Sequence, residues 1–542
     1  MKKRFLATVA AAGAMVLAAN AQTLNVVVGQ VTYAIPAAEA GNMTYDAEAN
    51  TLTIMGRAFG IADIVRMYVD DAAVTDNSVT VSYDDAQASV VVAGNVARYV
   101  LPDVSGAHVV IRQSDEVGDA TCGEITYGLS GTSFDGSFTL NGSYKASLEL
   151  RGLKLTSTVG APIDIQDGKR ISLSVKKDTE NTLTDALGGT QKGCIVCKGH
   201  LELKGRGTLS VNGRTAHGIY AKEYVELKNA TVRVLSAVKD GINCAQYFMM
   251  ESGTLSISGV QDDGVQVTFK DDTDRESEDT GTLTIAGGTL DVSVTAAAAK
   301  GLKAEGDVLV QDGEVTVSTS GGGLWDSEVS KTKASACIGA DGNVRIDGGT
   351  LYLTSSGGGG KGISCDGEWV CNGGNVSITT TGGLYAYVNG TEYDSYTGSS
   401  DRLSTNQKSS PKGVRAEGNV TVNGGSIQVS VSGNGGEGIE SKATLTVNDG
   451  VIVADAYDDA INSSSHMYIK GGTVTAVSSG NDGLDSNGNL YIQGGTVMAF
   501  GTSSPECGID ANEEEGYTVI FTGGTLLSVG GGNSVPSTSE ST

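Results

Sequence analysis

The sequence predicts an all-β chain wound as a right-handed parallel β-helix, a solenoid, behind a small N-terminal β-domain or cap. Three observations carry this expectation. A four-residue pattern (small, apolar, polar, small) recurs twelve times between Cys194 and Gly508, at a period near 23 residues with a few longer steps. Runs that alternate apolar and polar residues follow many of these anchors, and Gly-Gly or similar turns separate the runs. A fixed short period marks a solenoid whose equivalent residues stack in ladders, and alternation at period two marks strands with one face inward.

The elements follow in order. Met1-Lys2-Lys3-Arg4, an apolar stretch to Ala19 and the small-residue site Ala19-Asn20-Ala21 read as a secretory signal peptide over 1–21. No cysteine stands at the cleavage point, so no lipoprotein anchor is expected, and no later apolar run is long enough to span a bilayer. Export to the medium, the periplasm or the cell surface is therefore expected. Residues 22–118 alternate (Val79-Thr80-Val81, Val90-Val91-Val92) but lack the anchor, and an open helix end needs covering, so this stretch is expected to be the β-domain or cap. Coils are expected over 119–530, irregular at first (Phe138-Thr139-Leu140, Ile171-Ser172-Leu173). They become regular from Cys194-Ile195-Val196-Cys197 through Gly218-Ile219-Tyr220-Ala221 to Gly508-Ile509-Asp510-Ala511. Polar insertions near 270–280, 320–335 and 382–411 are expected as loops, with Trp325, Tyr385, Tyr387, Tyr393 and Tyr396 in or beside them. Residues 531–542 form a Ser/Thr-rich tail. The right-handed sense is the default for parallel crossovers, and the 77 glycines suit tight coil corners.

Eight cysteines in an exported chain first suggest disulfides. The register points elsewhere: Cys194 and Cys337 occupy the anchor, Cys197, Cys244 and Cys365 stand three residues after it, and Cys371 falls on an inward strand position. They are expected as small buried core residues. A net charge of −26 argues against nucleic acid and anionic membranes as partners and fits a protein that binds cations.

The ladders hold the candidate chemistry. Two residues after the last four anchors stand Glu440, Asn462, Asp485 and Asp510, and just before anchors stand Glu437, Asp458, Asp459 and Asp482. Carboxylates one coil apart repel each other unless a cation lies between them. Calcium takes six to eight oxygens, so these residues are expected to ligate Ca2+. Weaker echoes lie at Asp240 with Asn243 and at Asp262-Asp263 with Gln266. Middle coils reverse the sign, with Lys300, Lys303, Lys361, Lys412 and Arg415 flanking their anchors; this row would face the carboxylates of an acidic polysaccharide. Local pairing with Glu305, Asp366 and Glu417 is the competing reading. Tyr468 and Tyr491 share one outward position on consecutive coils, as a sugar platform or as a sheet-stabilising pair. No nucleophile constellation is visible.

Glu437-Gly438-Ile439-Glu440-Ser441, Asp458-Asp459-Ala460-Ile461-Asn462, Asn481-Asp482-Gly483-Leu484-Asp485 and Gly360-Lys361-Gly362-Ile363 each feed a strand and Gly-Gly turn. As a set they resemble the bacterial secreted carbohydrate-binding β-helix family, over about 125–530. The resemblance implies a pectate-lyase-like right-handed parallel β-helix, calcium at the acidic corners, and non-catalytic binding of polygalacturonate-like acidic polysaccharide. Two rivals stand beside it. One is a calcium-dependent polysaccharide lyase with a Lys or Arg base from the basic row; the other is a cell-surface adhesin, since β-helices suit extended display.

Overall fold

The computed structural model describes residues 23–270, 276–532 and 534–537. The expected signal peptide and the end of the Ser/Thr-rich tail lie outside the described residues. The chain divides into two compact units, residues 1–215 with 219–223, and residues 216–218 with 224–542. Coils of parallel β-strands run through both, and the fold is a parallel β-helix. Among the described residues no helix is long and apolar enough to cross a membrane.

In the first unit the stretch before residue 118 is mainly antiparallel. Thr23–Val28 pairs with Val31–Pro36 and with Ile64–Asp70, Ser78–Asp84 pairs with Gln87–Ala93, and Val100–Ser105 pairs with His108–Gln113. Two of these strands also start the coils. Ser78–Asp84 runs parallel to Ile125–Ser133, and His108–Gln113 runs parallel to Ser137–Asn141. Each thereby gives a coil strand a partner on the side where an unpaired edge would otherwise lie. Coils then follow in parallel, for example Ile163–Ile165 on Gly193–Cys197 and Ile171–Val175 on Leu201–Gly205.

In the second unit each coil carries three strands. The anchor strands run from Ile242–Ala245 to Ile509–Ala511, all parallel to their neighbours. Their inward apolar positions form one buried column: Ile242, Val265, Leu302, Ile338, Ile363, Val414, Ile439, Ile461, Leu484 and Ile509. Burying such a column removes apolar surface from water along the whole stack, which drives the winding. The anchor residue is small for a steric reason. A Cβ on Gly301 would meet Val317 Cγ1 at 2.1 Å, and one on Gly362 would meet Ile378 Cγ2 at 2.3 Å. Opposite Gly438 stands Ala454, whose Cβ would be 3.5 Å away. A β-branched residue across the core crowds some anchors, and the carbonyl of the next anchor crowds others: a Cβ on Gly438 would meet Ala460 O at 2.2 Å.

The turns after the second strands carry an asparagine ladder. Asn423 Nδ2 donates to Asn372 Oδ1 at 2.7 Å, and Asn448 Nδ2 donates to Asn423 Oδ1 at 2.7 Å.

The insertions differ from expectation. Residues 320–335 hold an antiparallel hairpin (Leu324–Asp326 with Lys331–Lys333), and 382–411 hold a small sheet in which Tyr385–Val388 pairs with Thr391–Tyr393 and with Lys408–Ser409. Polar composition hid their alternation. They pack on each other: Trp325 stacks on Tyr387 with centroids 4.3 Å apart. Tyr385 is buried, with its hydroxyl donating to Glu392 Oε2 at 2.6 Å.

Cys194, Cys197, Cys244, Cys337, Cys365 and Cys371 are buried free thiols, as their register implies; Cys507 is buried as well, and Cys122 is half-buried. Burial pushes the Cys197, Cys244, Cys337 and Cys365 thiols up to about 12, so they stay protonated and unreactive.

Candidate functional site

The parallel register turns one sequence position into a row. The residue two after each anchor runs Asn243, Gln266, Lys303, Gly339, Ser364, Arg415, Glu440, Asn462, Asp485 and Asp510 down adjoining strands. Beside it, Lys300, Ala336, Lys361, Lys412 and Glu437 form a second row. Neighbours in a row are about 4.8 Å apart, so charge along each row decides what the row does.

At the last coils the row is acidic and unopposed. One oxygen each of Asp482, Asp485 and Asp510 lies within 4.8 Å of the others. Each carboxylate has an oxygen tied to a neutral donor. Asp482 Oδ1 accepts the Cys507 backbone N–H, Asp485 Oδ2 accepts Asn462 Nδ2 at 3.1 Å, and Asp510 Oδ1 accepts Ser534 Oγ at 3.1 Å. Among the described residues no Lys, Arg or His forms an ion pair with any of them. Burial, and then the surrounding carboxylates, push Asp482 up to about 6 and Asp485 up to about 7. Asp459, just upstream, rises to about 8 for the same two reasons and holds Asn462 Nδ2 at 3.0 Å. Asp458 accepts Asn481 Nδ2 at 2.8 Å.

The structure separates Glu437 and Glu440 from this cluster. Both were expected to ligate calcium. Instead Glu440 is 2% exposed and faces Lys442, Lys412 Nζ at 3.2 Å and Arg415 Nε at 3.8 Å. Glu437 is 2.6 Å from Lys412 Nζ. Burial opposes the Glu440 charge, but Lys412 and Lys442 outweigh it and hold the carboxyl down to about 2. These two acids already have their cations.

The basic row is likewise largely consumed. Lys361 and Lys412 are buried. Lys361 Nζ donates to Ser409 Oγ at 2.7 Å and Gly359 O at 3.1 Å, and burial together with the Arg415 and Lys412 charges lowers it to about 7. Lys300 Nζ donates to Ala298 O at 2.9 Å. Lys303 reaches Asp263 Oδ2 at 3.0 Å, and Arg415 pairs with Glu417. Only the Arg415–Glu417 contact matches the expected local pairing; the Lys303 and Lys412 ion pairs run between coils, and Lys300 and Lys361 are held by carbonyls two residues before them.

Asp240, Asp262 and Asp263 form a second acidic group, also with oxygens within 4.8 Å. Lys303 pairs with Asp263, and His217 Nδ1 lies 3.1 Å from Asp240 Oδ2. The Asp482–Asp485–Asp510 group has no such partner among the described residues, and it is the one whose charge calls for an added ion.

Tyr468 and Tyr491 are stacked, centroids 4.6 Å apart and planes 3° from parallel, on second strands around the corner from the acids. His466 meets both rings edge-on.

Two features escaped the sequence. The aspartate before an anchor accepts the backbone N–H at the same position of the next coil: Asp240 from Asp263 at 3.1 Å, Asp263 from Lys300 at 2.7 Å, and Asp459 from Asp482 at 3.2 Å. The Asp-Gly anchors were its signal. The other feature is a lysine-rimmed groove in the first unit, where the anchors carry no charge at all.

A family profile described as carbohydrate-binding domain-containing protein matches residues 119–383, 339–435 and 428–542. A carbohydrate-binding domain-containing protein from Acetivibrio thermocellus is 27% identical over 118 residues, 20% of this chain and 41% of that protein, so the match spans about two-fifths of the relative. A solved polysaccharide lyase-like protein from C. thermocellum, a gadolinium derivative, is 19% identical with a TM-score of 0.33, covering 54% of this chain and 96% of that one.

Proposed function

The chain belongs to the family of carbohydrate-binding domain-containing proteins, and from that premise we propose that it is an exported, non-catalytic binder of acidic polysaccharide that works with calcium. The observation that carries this reading is the Asp482–Asp485–Asp510 group: three carboxylates in reach of one another with no basic partner among the described residues. The donor set suits a hard cation, and each carboxylate keeps one oxygen clear of the neutral donors. Three side-chain oxygens supply half or less of the roughly six to eight that calcium takes. The remaining places would fall to water and to an anionic ligand. Bound there, calcium would supply a positive centre for a uronate carboxylate.

The chain's own residues prepare that centre. The Cys507 N–H, Asn462 and Ser534 orient the three carboxylates, and Asp459 and Asn462 fix the adjoining rung. Of the residues expected to touch sugar, the half-buried Lys303, Arg415, Tyr468 and Tyr491 remain in this role; Lys300, Lys361 and Lys412 serve the fold. A lyase needs a base within hydrogen-bond reach of the proton beside the metal-bound carboxylate. Arg415 stands three rungs from Asp485 in the row, about 14 Å at strand spacing, and Lys361 is buried with its hydrogens committed. The binding reading follows. Affinity for polygalacturonate should fall at least tenfold on chelation and in D482N/D485N, measured by titration calorimetry. Unchanged affinity in both would overturn it, and an unsaturated product absorbing in the ultraviolet would favour the lyase.

A further inference from the structure

We propose that a groove in the first unit, rimmed by Lys192, Lys198 and Lys222, is a calcium-independent subsite for one anionic pyranose of the same polysaccharide. The inference rests on the acidic-polysaccharide reading and adds a second place on the chain where it is met.

The coil register builds the groove. Lys198 N donates to Ile165 O at 2.9 Å and Lys222 N donates to Cys197 O at 2.9 Å, so the residues closing three successive anchor strands line up as Gln166, Lys198 and Lys222. The adjoining row carries Asp164 against Val196, with Tyr220 two residues upstream of Lys222. The groove has a volume of about 270 Å3. That is at the small end of the roughly 300–1,000 Å3 usual for small-molecule sites, a fit for one ring rather than a chain segment.

Its chemistry is that of a site for a charged sugar. Val196 gives an apolar floor and Tyr220 an aromatic wall, surfaces that suit the C–H face of a pyranose. Lys192 Nζ donates to the Tyr220 hydroxyl at 3.0 Å and lies 4.7 Å from the ring centroid, which fixes the wall. All three lysines are exposed. Lys198 and Lys222 form no ion pair among the described residues. On a chain of net charge −26, where the ammonium groups of Lys303 and Lys412 are matched to carboxylates, the three groove lysines bring positive charge to the rim of one cavity. Asp164 is the one carboxylate in the groove. Half-buried and held by Gln166 Nε2 at 2.5 Å, it feels the Lys198 charge and still offers an acceptor to a sugar hydroxyl.

The test is binding of a short galacturonate oligomer to the full chain, in excess EDTA and in calcium, with its methyl ester as the uncharged control. Wild type is expected to bind the acid form in EDTA and not the ester. K198Q/K222Q should lose at least tenfold in EDTA with an unchanged circular dichroism spectrum, while K198R/K222R keeps the affinity. No wild-type binding in EDTA, or equal binding by K198Q/K222Q, overturns the groove and leaves the calcium reading standing. No binding in either medium overturns both.

Discussion

Asp485 and Asp510 face each other in parallel register on adjoining anchor strands, and neither has a basic partner among the described residues. Three coils upstream in the same row, Arg415 lies beside Glu440. One row of a solenoid thus holds a closed ion pair and an open acidic group. Which of the two a coil provides depends on the sign of the residue one rung away.

The open group makes stability depend on pH in a defined direction. In the metal-free protein Asp482, Asp485 and Asp459 sit at about 6, about 7 and about 8 rather than at the ordinary 3.8, through burial and then mutual repulsion. The folded chain therefore holds protons that the unfolded chain releases. That contribution is complete below about pH 4 and is lost as pH rises through about 6 to 8. Calcium replaces those protons. Thermal denaturation should show a calcium-minus-EDTA difference in Tm that grows from about pH 5 to about pH 8. A difference that shrinks over this range would contradict the assignment.

Asp485→Asn removes one charge of the three while keeping the shape. With calcium at about a hundred times its Kd, wild type should gain about 2.7 kcal/mol. D485N should gain close to nothing, and in EDTA at pH 8 it should be at least as stable as wild type. Melting curves at fixed protein concentration measure both. A variant that still responds fully to calcium would place the ion elsewhere.

The register of these rows was legible before any coordinates. Equal spacing from each anchor placed Lys361 beside Lys412 despite the long insertion between them, because an insertion that leaves and re-enters at one corner does not shift the strands. It also put Asp485 beside Asp510. What the sequence did not reveal was which acids were already neutralised. Glu437 and Glu440 look like Asp482 and Asp485 when each coil is read alone, and only burial against Lys412 of the preceding coil sets them apart. The lysine groove was missed because its signal lies four residues after the anchors Cys194 and Gly218, at Lys198 and Lys222.

Lys412 holds the closed pair. Burial works against its charge, but Glu437 and Glu440 raise it above the ordinary lysine value. Lys412→Met would leave the half-buried Glu437 without a cation, while Glu440 keeps Lys442 and Arg415. Breaking a buried pair from one side costs about 3–5 kcal/mol. Neutralising the abandoned acid as well, in K412M/E437Q, should recover a large part of that loss. Urea denaturation of the two variants would show it, and equal losses would mean that Lys412 acts by packing alone.

The anchor glycine supplies the last prediction, which concerns the scaffold that aligns every row. A Cβ at residue 301 would lie 2.1 Å from Val317 Cγ1 and 2.8 Å from Cys337 O. The Val317 contact is too close to be relieved by small shifts, so Gly301→Ala should destabilise by about 1–3 kcal/mol through overpacking. Val317→Ala alone opens a cavity and also destabilises. Together they exchange a large-facing-small pair for two alanines. The double variant should therefore lose less than the sum of the single losses, by about 0.5–3 kcal/mol. Strict additivity in a denaturation cycle would show that the anchor is glycine for its backbone and not for the space across the core.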